Sequence, residues 1–173
     1  MTEAIQEVVK HLHEKFGEQH CVASEFAGQT TVVVPRGMLI EAMRFLRDDE
    51  RCGFDQLVDV MGVDYLGYPN PTEGRFGLVY PLLNIEANRR LQVKVFVPEA
   101  DMRVSSVTGL WQGAEWPERE AAEMFGFVFE GHPDLRRILL CDLYDGKHPL
   151  RKDYPLRGEG ERDSFKIVTR ETA

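Results

Sequence analysis

The chain has 173 residues, a formal net charge of −8 and a sequence pI near 5.2. That length suits one domain with a real core, and the acidic balance excludes a general binder of nucleic acid or anionic membrane. No apolar run approaches the ~20 residues of a spanning helix, and MTEAIQEVVK resembles neither a signal nor a transit peptide.

Ile5, Val8, Val9, Leu12 and Phe16 recur at helical spacing, which predicts an amphipathic helix over 3–16 closed by Gly17. Val22 to Phe26 and Thr30 to Val34 read as a hairpin about Ala27, Gly28 and Gln29. Met38, Leu39, Ala42, Phe45 and Leu46 give a second helical stripe, ending near Gly53. Leu57 to Tyr65 reads as one strand, with a bulge at Gly62. Pro69, Asn70 and Pro71 with Gly74 form a loop. Phe76 to Ile85 and Leu91 to Val97 are the clearest strands; in the second, Leu91, Val93, Val95 and Val97 share one buried face. Ser105 is a candidate N-cap for a short helix carrying Val107, Leu110 and Trp111. Another helix follows, with Pro117 at its first position and Gly126 just past its end. This order predicts an α+β fold: a mixed or antiparallel sheet with helices on one face, a globular domain over 1–129 and an extended C-terminal arm over 130–173.

The arm carries the unusual chemistry. From His132 to Arg157 it holds six basic residues and four aspartates, interrupted by one apolar run, Ile138, Leu139 and Leu140. Pro133, Pro149 and Pro155 exclude a continuous helix. Disordered tails seldom bring such a cluster with Leu135, Leu143 and Tyr144, so the segment reads as an arm that lies on another protein.

Trp116 to Pro155 also carries a resemblance. EREAAEMFGFVFEGHPDLRRILL followed by HPLRKDYPLRGEGER resembles the signature of the thirty-kilodalton subunit family of respiratory complex I, the NADH-quinone oxidoreductase. The likeness is dense over 116–165 and continues upstream through NRRLQVKVFV and VTGLWQGAEW. Lys147 departs from it, standing where the family reads Gly-His-Pro. The resemblance implies a structural subunit without catalytic residues, docked on the quinone-site subunit and the subunit bearing the terminal iron–sulfur cluster. Flavin and clusters would sit on those and other partners, with none on this chain. Its place would be peripheral, on the cytoplasmic side of a bacterial inner membrane, held there only through partners.

The residues expected at the interface are the acidic helix positions Glu118, Glu120 and Glu123 with Arg119, and the arm. In the arm these are His132, Asp134, Leu135, Arg136 and Arg137; Ile138, Leu139 and Leu140; and His148, Arg151, Lys152, Asp153 and Tyr154. Arg119 and Glu123 are an i,i+4 pair worth a few tenths of a kcal/mol alone; the alternative is a charge lattice in which the glutamates hold Arg136, Arg137 or Arg151. Cys21, Cys52 and Cys141 are odd in number and widely spaced, which fits buried or incidental thiols rather than a disulfide or cluster framework. The context of His132, Asp134 and His148 matches no metal motif, and the flanking arginines would repel a cation. Gly158, Glu159 and Gly160 do not form a phosphate cradle, and no nucleotide fingerprint is present. The rival readings are a homologous subunit of a related membrane-bound hydrogenase or dehydrogenase, a stand-alone metal hydrolase, and a transient binding module.

Overall fold

The computed structural model describes residues 3–69 and 73–160. The chain begins with α1 (Glu3–Phe16), the hairpin β1 (Val22–Phe26) and β2 (Gln29–Val33), and α2 (Leu39–Asp48). Next come β3 (Gln56–Leu57), β4 (Met61–Asp64), β5 (Phe76–Asn84) and β6 (Arg89–Val97). A small pair, β7 (Arg103–Ser105) and β8 (Val128–Glu130), flanks α3 (Glu115–Phe125). Residues 70–72, which include Asn70 and Pro71 of the expected loop, and the arm beyond 160 lie outside the described residues.

The main sheet has the order β1-β2-β6-β5-β3, with β4 also paired to β5. It is mixed: β2 runs parallel to β6, and the other pairs are antiparallel. Alternation decides which face is buried. Leu91, Val93, Val95 and Val97 of β6 lie opposite Leu82, Tyr80, Leu78 and Phe76 of β5, and these side chains are buried. The apolar stripes of α1 and α2 and the Phe125, Phe127 and Phe129 series join them in one core. The helices therefore cover one face, as the patterning predicts.

The turn between β1 and β2 is Ala27-Gly28, both residues at positive φ (50° and 76°), as a two-residue hairpin with right-handed strand twist requires. Gly53 and Gly126 are also left-handed, and Gly126 ends α3 by donating to the Ala122 carbonyl at 2.8 Å.

Three expectations need correction. The strand expected over Leu57 to Tyr65 is two strands. Leu57 pairs with Leu82 but Met61 with Val79, so one extra residue is accommodated between them, and the bulge falls at 58–60 rather than at Gly62. Gly62 serves packing instead, because a Cβ there would collide with the Phe125 ring of α3. Gly62→Val should accordingly cost ~1–3 kcal/mol of stability; an unchanged melting temperature would contradict that contact.

The helix expected after Ser105 does not form. Arg103–Ser105 is a strand parallel to β8, followed by one turn in which Leu110 and Trp111 bond back to the Val107 carbonyl. The Ser106 hydroxyl and the Val107 N–H, which a helix would leave as caps, donate to the carboxylate of Glu118. Third, Pro117 is not the first residue of α3, since a 3₁₀ turn over Gln112–Ala114 leads straight into Glu115.

Candidate functional site

The segment after β8 is not held clear of the domain. It winds along α3 and is tied down at both ends of that helix. The buried material also runs past Phe129, because the His132 side chain is 0% exposed. Its Nε2 lies 3.0 Å from the Glu115 carbonyl, and Nδ1 accepts the Asp134 N–H at 3.0 Å. That pairing assigns the proton to Nε2. Beneath it, Glu118 is 0% exposed and accepts from Ser106 Oγ at 2.6 Å and the Val107 N–H at 2.7 Å. Burial raises its pKa, and the two donors only partly oppose this.

Glu123 is 6% exposed and does not hold an arginine. Its carboxylate accepts three successive backbone N–H groups, Ile138 at 3.2 Å, Leu139 at 2.9 Å and Leu140 at 2.7 Å. A carboxylate suits this role because it offers acceptors only. Arg119 turns to the Arg136 carbonyl at 2.8 Å rather than to Glu123. The expected lattice of glutamates holding Arg136, Arg137 or Arg151 is therefore replaced by carboxylate-to-backbone bonds. They fix the chain's path whatever side chains it carries.

The end of α3 shows the same logic. A helix leaves its last four carbonyls without intrahelical donors. Gly126 serves Ala122, His148 Nδ1 reaches the Glu123 carbonyl at 2.9 Å, and the Leu150 N–H reaches Met124 at 3.2 Å. The Arg151 Nε donates to the Phe125 carbonyl at 2.7 Å, where a cation also suits the negative end of the dipole. A side chain at Gly126 would stand 2.7 Å from both His148 Nε2 and Arg151 Nη2, so glycine allows this approach as well as the turn.

Beyond Arg151 the arm is clamped to the sheet. Asp64 (side chain 1% exposed) accepts the Lys152 N–H at 2.9 Å, the Leu66 N–H at 2.9 Å and Arg75 at 3.0 Å. Arg75 also pairs with Asp153 at 2.8 Å and Glu99 at 2.6 Å and lies over the Phe76 ring, which Arg151 also approaches. Burial pushes the Asp64 carboxyl up, but Arg75 and the two N–H donors outweigh it and hold the pKa below its usual value. Asp153 is lowered chiefly by its bond to Arg75. Folded pKa values below the unfolded ~3.9 mean that this clamp is complete above that range and is lost as pH falls through the folded values. Hydrogen exchange at the Lys152 amide should therefore accelerate below about pH 4, beyond the intrinsic dependence. Constant protection into stronger acid would contradict the clamp.

Of the other expected residues, Arg136 pairs with Asp134 at 2.7 Å, and Arg137 pairs with Asp142 at 3.2 Å and Asp145 at 3.7 Å. Lys147 lies 3.8 Å from Glu159. Tyr154 is half-buried, its N–H on the Arg151 carbonyl. Glu120 is exposed at the rim of a groove of about 280 Å³ between β4 and α3. His132 and His148 hold opposite ends of α3, carbonyls eight residues and so ~12 Å apart along the axis, so they do not converge. Cys21 and Cys52 are buried, and Cys141 is exposed. No helix among the described residues is long and apolar enough to cross a membrane.

Sequence reasoning missed Asp64 and Arg75, and no local signal marks them, because their partners stand at 152 and 153. It also placed Glu118 at the partner interface, whereas it lies in the core. The clue available was its position four residues before Ala122 and three before Ala121, on the side that the small residues of α3 turn inward.

Residues 32–160 match the family model described as respiratory-chain NADH dehydrogenase, 30 Kd subunit. The NADH-quinone oxidoreductase C-subunit of Citrifermentans bemidjiense is 45% identical over 96% of this chain and 98% of its own length. Its counterpart of the same name in Ralstonia pickettii is 44% identical over 91% of this chain and 80% of its own. Among solved structures, the trypsin-resistant fragment (1-134) of Nqo5 superposes with a TM-score of 0.67 at 37% identity, covering 76% of this chain and 99% of the fragment. A chain of the membrane-bound sulfane sulfur reductase, an archaeal respiratory membrane complex, superposes with a TM-score of 0.73 at 26% identity, covering 89% of this chain and 87% of that one.

Proposed function

Because the chain belongs to the family of the 30-kilodalton subunit of respiratory-chain NADH dehydrogenase, we propose that it is a non-catalytic structural subunit in the peripheral arm of a proton-translocating NADH:quinone oxidoreductase. In this reading it docks on the quinone-site subunit and on the subunit with the terminal iron–sulfur cluster, and braces the electron path without lying on it. It carries no flavin or cluster of its own, and it sits on the cytoplasmic side of a bacterial inner membrane, attached through partners. One observation supports this best. The described arm has little regular structure of its own, yet its backbone is fixed on α3 and Asp64 while Leu135, Leu139 and Leu143 remain exposed. Such an arm is organised before any partner arrives, which lowers the ordering cost of docking.

The likeness to a chain of the sulfane sulfur reductase supports a second reading, the equivalent subunit of a related respiratory complex with a different electron donor. Affinity capture of the tagged chain from detergent-solubilised membranes, followed by mass spectrometry and an NADH:quinone assay, separates the two. The first reading expects flavin- and cluster-bearing polypeptides with NADH-dependent quinone reduction. Capture with hydrogenase-type or sulfur-reductase-type polypeptides would favour the second, and capture of the chain alone would overturn both. Metal and flavin content of the separately purified chain tests the absence of cofactors.

A further inference from the structure

Around α3 and β4 the chain answers most of its carboxylates from within. Asp64, Asp153 and Glu99 meet Arg75, Asp134 meets Arg136, and Asp142 and Asp145 meet Arg137. Glu118 and Glu123 meet hydroxyl and backbone donors. Two acids stand outside this pattern, and both line the groove of about 280 Å³ between β4 and α3. Asp59 comes from the bulge before β4 and Glu120 from α3, so each of the two elements that bound the groove contributes one. Asp59 Oδ1 accepts the adjacent Val60 N–H at 2.8 Å, and Glu120 is exposed; neither meets a cation among the described residues. The rest of the lining is carried by apolar side chains. Met124 and Phe125 are buried, while Met61 is 38% and Leu150 53% exposed. Leu150 belongs to the arm and is held by its N–H on the Met124 carbonyl, so the groove is complete only with the arm seated.

We propose that this groove receives one long basic side chain, lysine or arginine, from another subunit of the complex. An aliphatic stem suits the methionine, phenylalanine and leucine surfaces, and methionine adapts its shape to what it meets. The cation at the end of that stem then meets carboxylates from both sides, in a site partly withdrawn from water, where charge-assisted bonds are strong and salt screens them less. The proposal rests on the functional reading above and adds to it a contact of defined chemistry outside the arm's own ion pairs. Charge complementarity selects the occupant. An acidic protein face or an anionic lipid surface would be repelled. A metal ion would lack ligands, because no third Asp, Glu, His or Cys joins these two among the described residues.

The test uses the full-length tagged chain in solubilised complex. The double variant Asp59→Asn with Glu120→Gln keeps both side-chain sizes and the acceptor for Val60. It should melt like the wild-type chain when isolated, since neither acid has an internal cation to lose. Its recovery in the complex should fall about tenfold or more. The control Glu7→Gln with Glu41→Gln removes the same charge from exposed positions on α1 and α2, and should stay within about twofold of wild type. Met61→benzoylphenylalanine, a photo-cross-linker on the β4 side of the groove, identifies the occupant. It should join a peptide of another subunit that contains a lysine or arginine, and replacing that residue by alanine should reproduce the loss. Full recovery of the double variant beside a recovered wild-type chain would overturn the proposal and leave the functional reading standing. So would a cross-link to a peptide without a basic residue, to a second copy of this chain, or to residues 161–173 of the chain itself. A double variant that no longer melts cooperatively would count against it by giving the two acids a structural role. Absence of even the wild-type chain from any complex would overturn the functional reading, and this proposal with it.

Discussion

Val95→Asp is expected to abolish the cooperative melt of the isolated chain. Val95 is fully buried at the centre of β6, opposite Leu78 and flanked on its face by Val93 and Val97. Among the described residues, those neighbours offer a carboxylate no cation. Burying it unpaired costs several kcal/mol, comparable to the ~5–15 kcal/mol that holds a domain together. The next residue supplies the control. Lys94 is half-buried on the opposite face, with its ammonium 5.7 Å from the Tyr65 ring centroid and 5.8 Å from that of Phe96. Lys94→Asp should therefore cost no more than about 1 kcal/mol. Thermal melts of the two variants side by side measure this, and two unchanged midpoints would contradict the assignment of the faces.

The second large effect belongs to Glu123. Glu123→Ala removes the acceptor of three neighbouring N–H groups at once and leaves them beside an apolar side chain. Hydrogen bonds to a charged group contribute ~1.5–3 kcal/mol each. Water reaching these part-buried donors recovers some of that, so a net loss of about 3 kcal/mol is expected. Glu123→Gln keeps one acceptor oxygen but sets an amide N–H against a backbone N–H, and should fall between the two. The loss should be local as well as global, with trypsin cleaving after Arg136 and Arg137 much faster than in wild type, because the contacts that hold Ile138 to Leu140 are gone. Cleavage at the wild-type rate would show that something other than Glu123 fixes the arm.

These two residues also show how far the sequence could be read. Val95 was legible because strand periodicity is local, and four alternating apolar positions between Arg90 and Pro98 determine which face is buried. The same holds for α1, for the β1–β2 hairpin and for Gly126 as the stop of α3. Glu123 was legible as important but not in its role. In a row of glutamates, spacing alone favours solvation or pairing with a cation, and nothing local says that a carboxylate will face backbone donors fifteen to seventeen residues later. The helix expected after Ser105 failed for the same reason, since Glu118, from the next element, takes the donors that a helix start would use. Arg136 and Arg137 were expected to meet the helix glutamates because the aspartates they do pair with stand two to eight residues away along an irregular path, where no periodicity announces the pairing. The family resemblance singled out this segment of the chain. The contacts within it needed the three-dimensional path.

The central claim is that the domain up to His132 supplies the fold and the arm beyond it supplies the attachment to the complex. A chain ending at Leu135 keeps the core, β8 and the buried His132, and loses the Glu123, Phe125 and Asp64 anchors together with Leu139 and Leu143. The direct measurement is recovery of this shortened chain in solubilised complex beside the full-length chain, after confirming that it still melts cooperatively. The account predicts a folded, somewhat less stable protein that is absent from the complex. Recovery at the full-length level would contradict it.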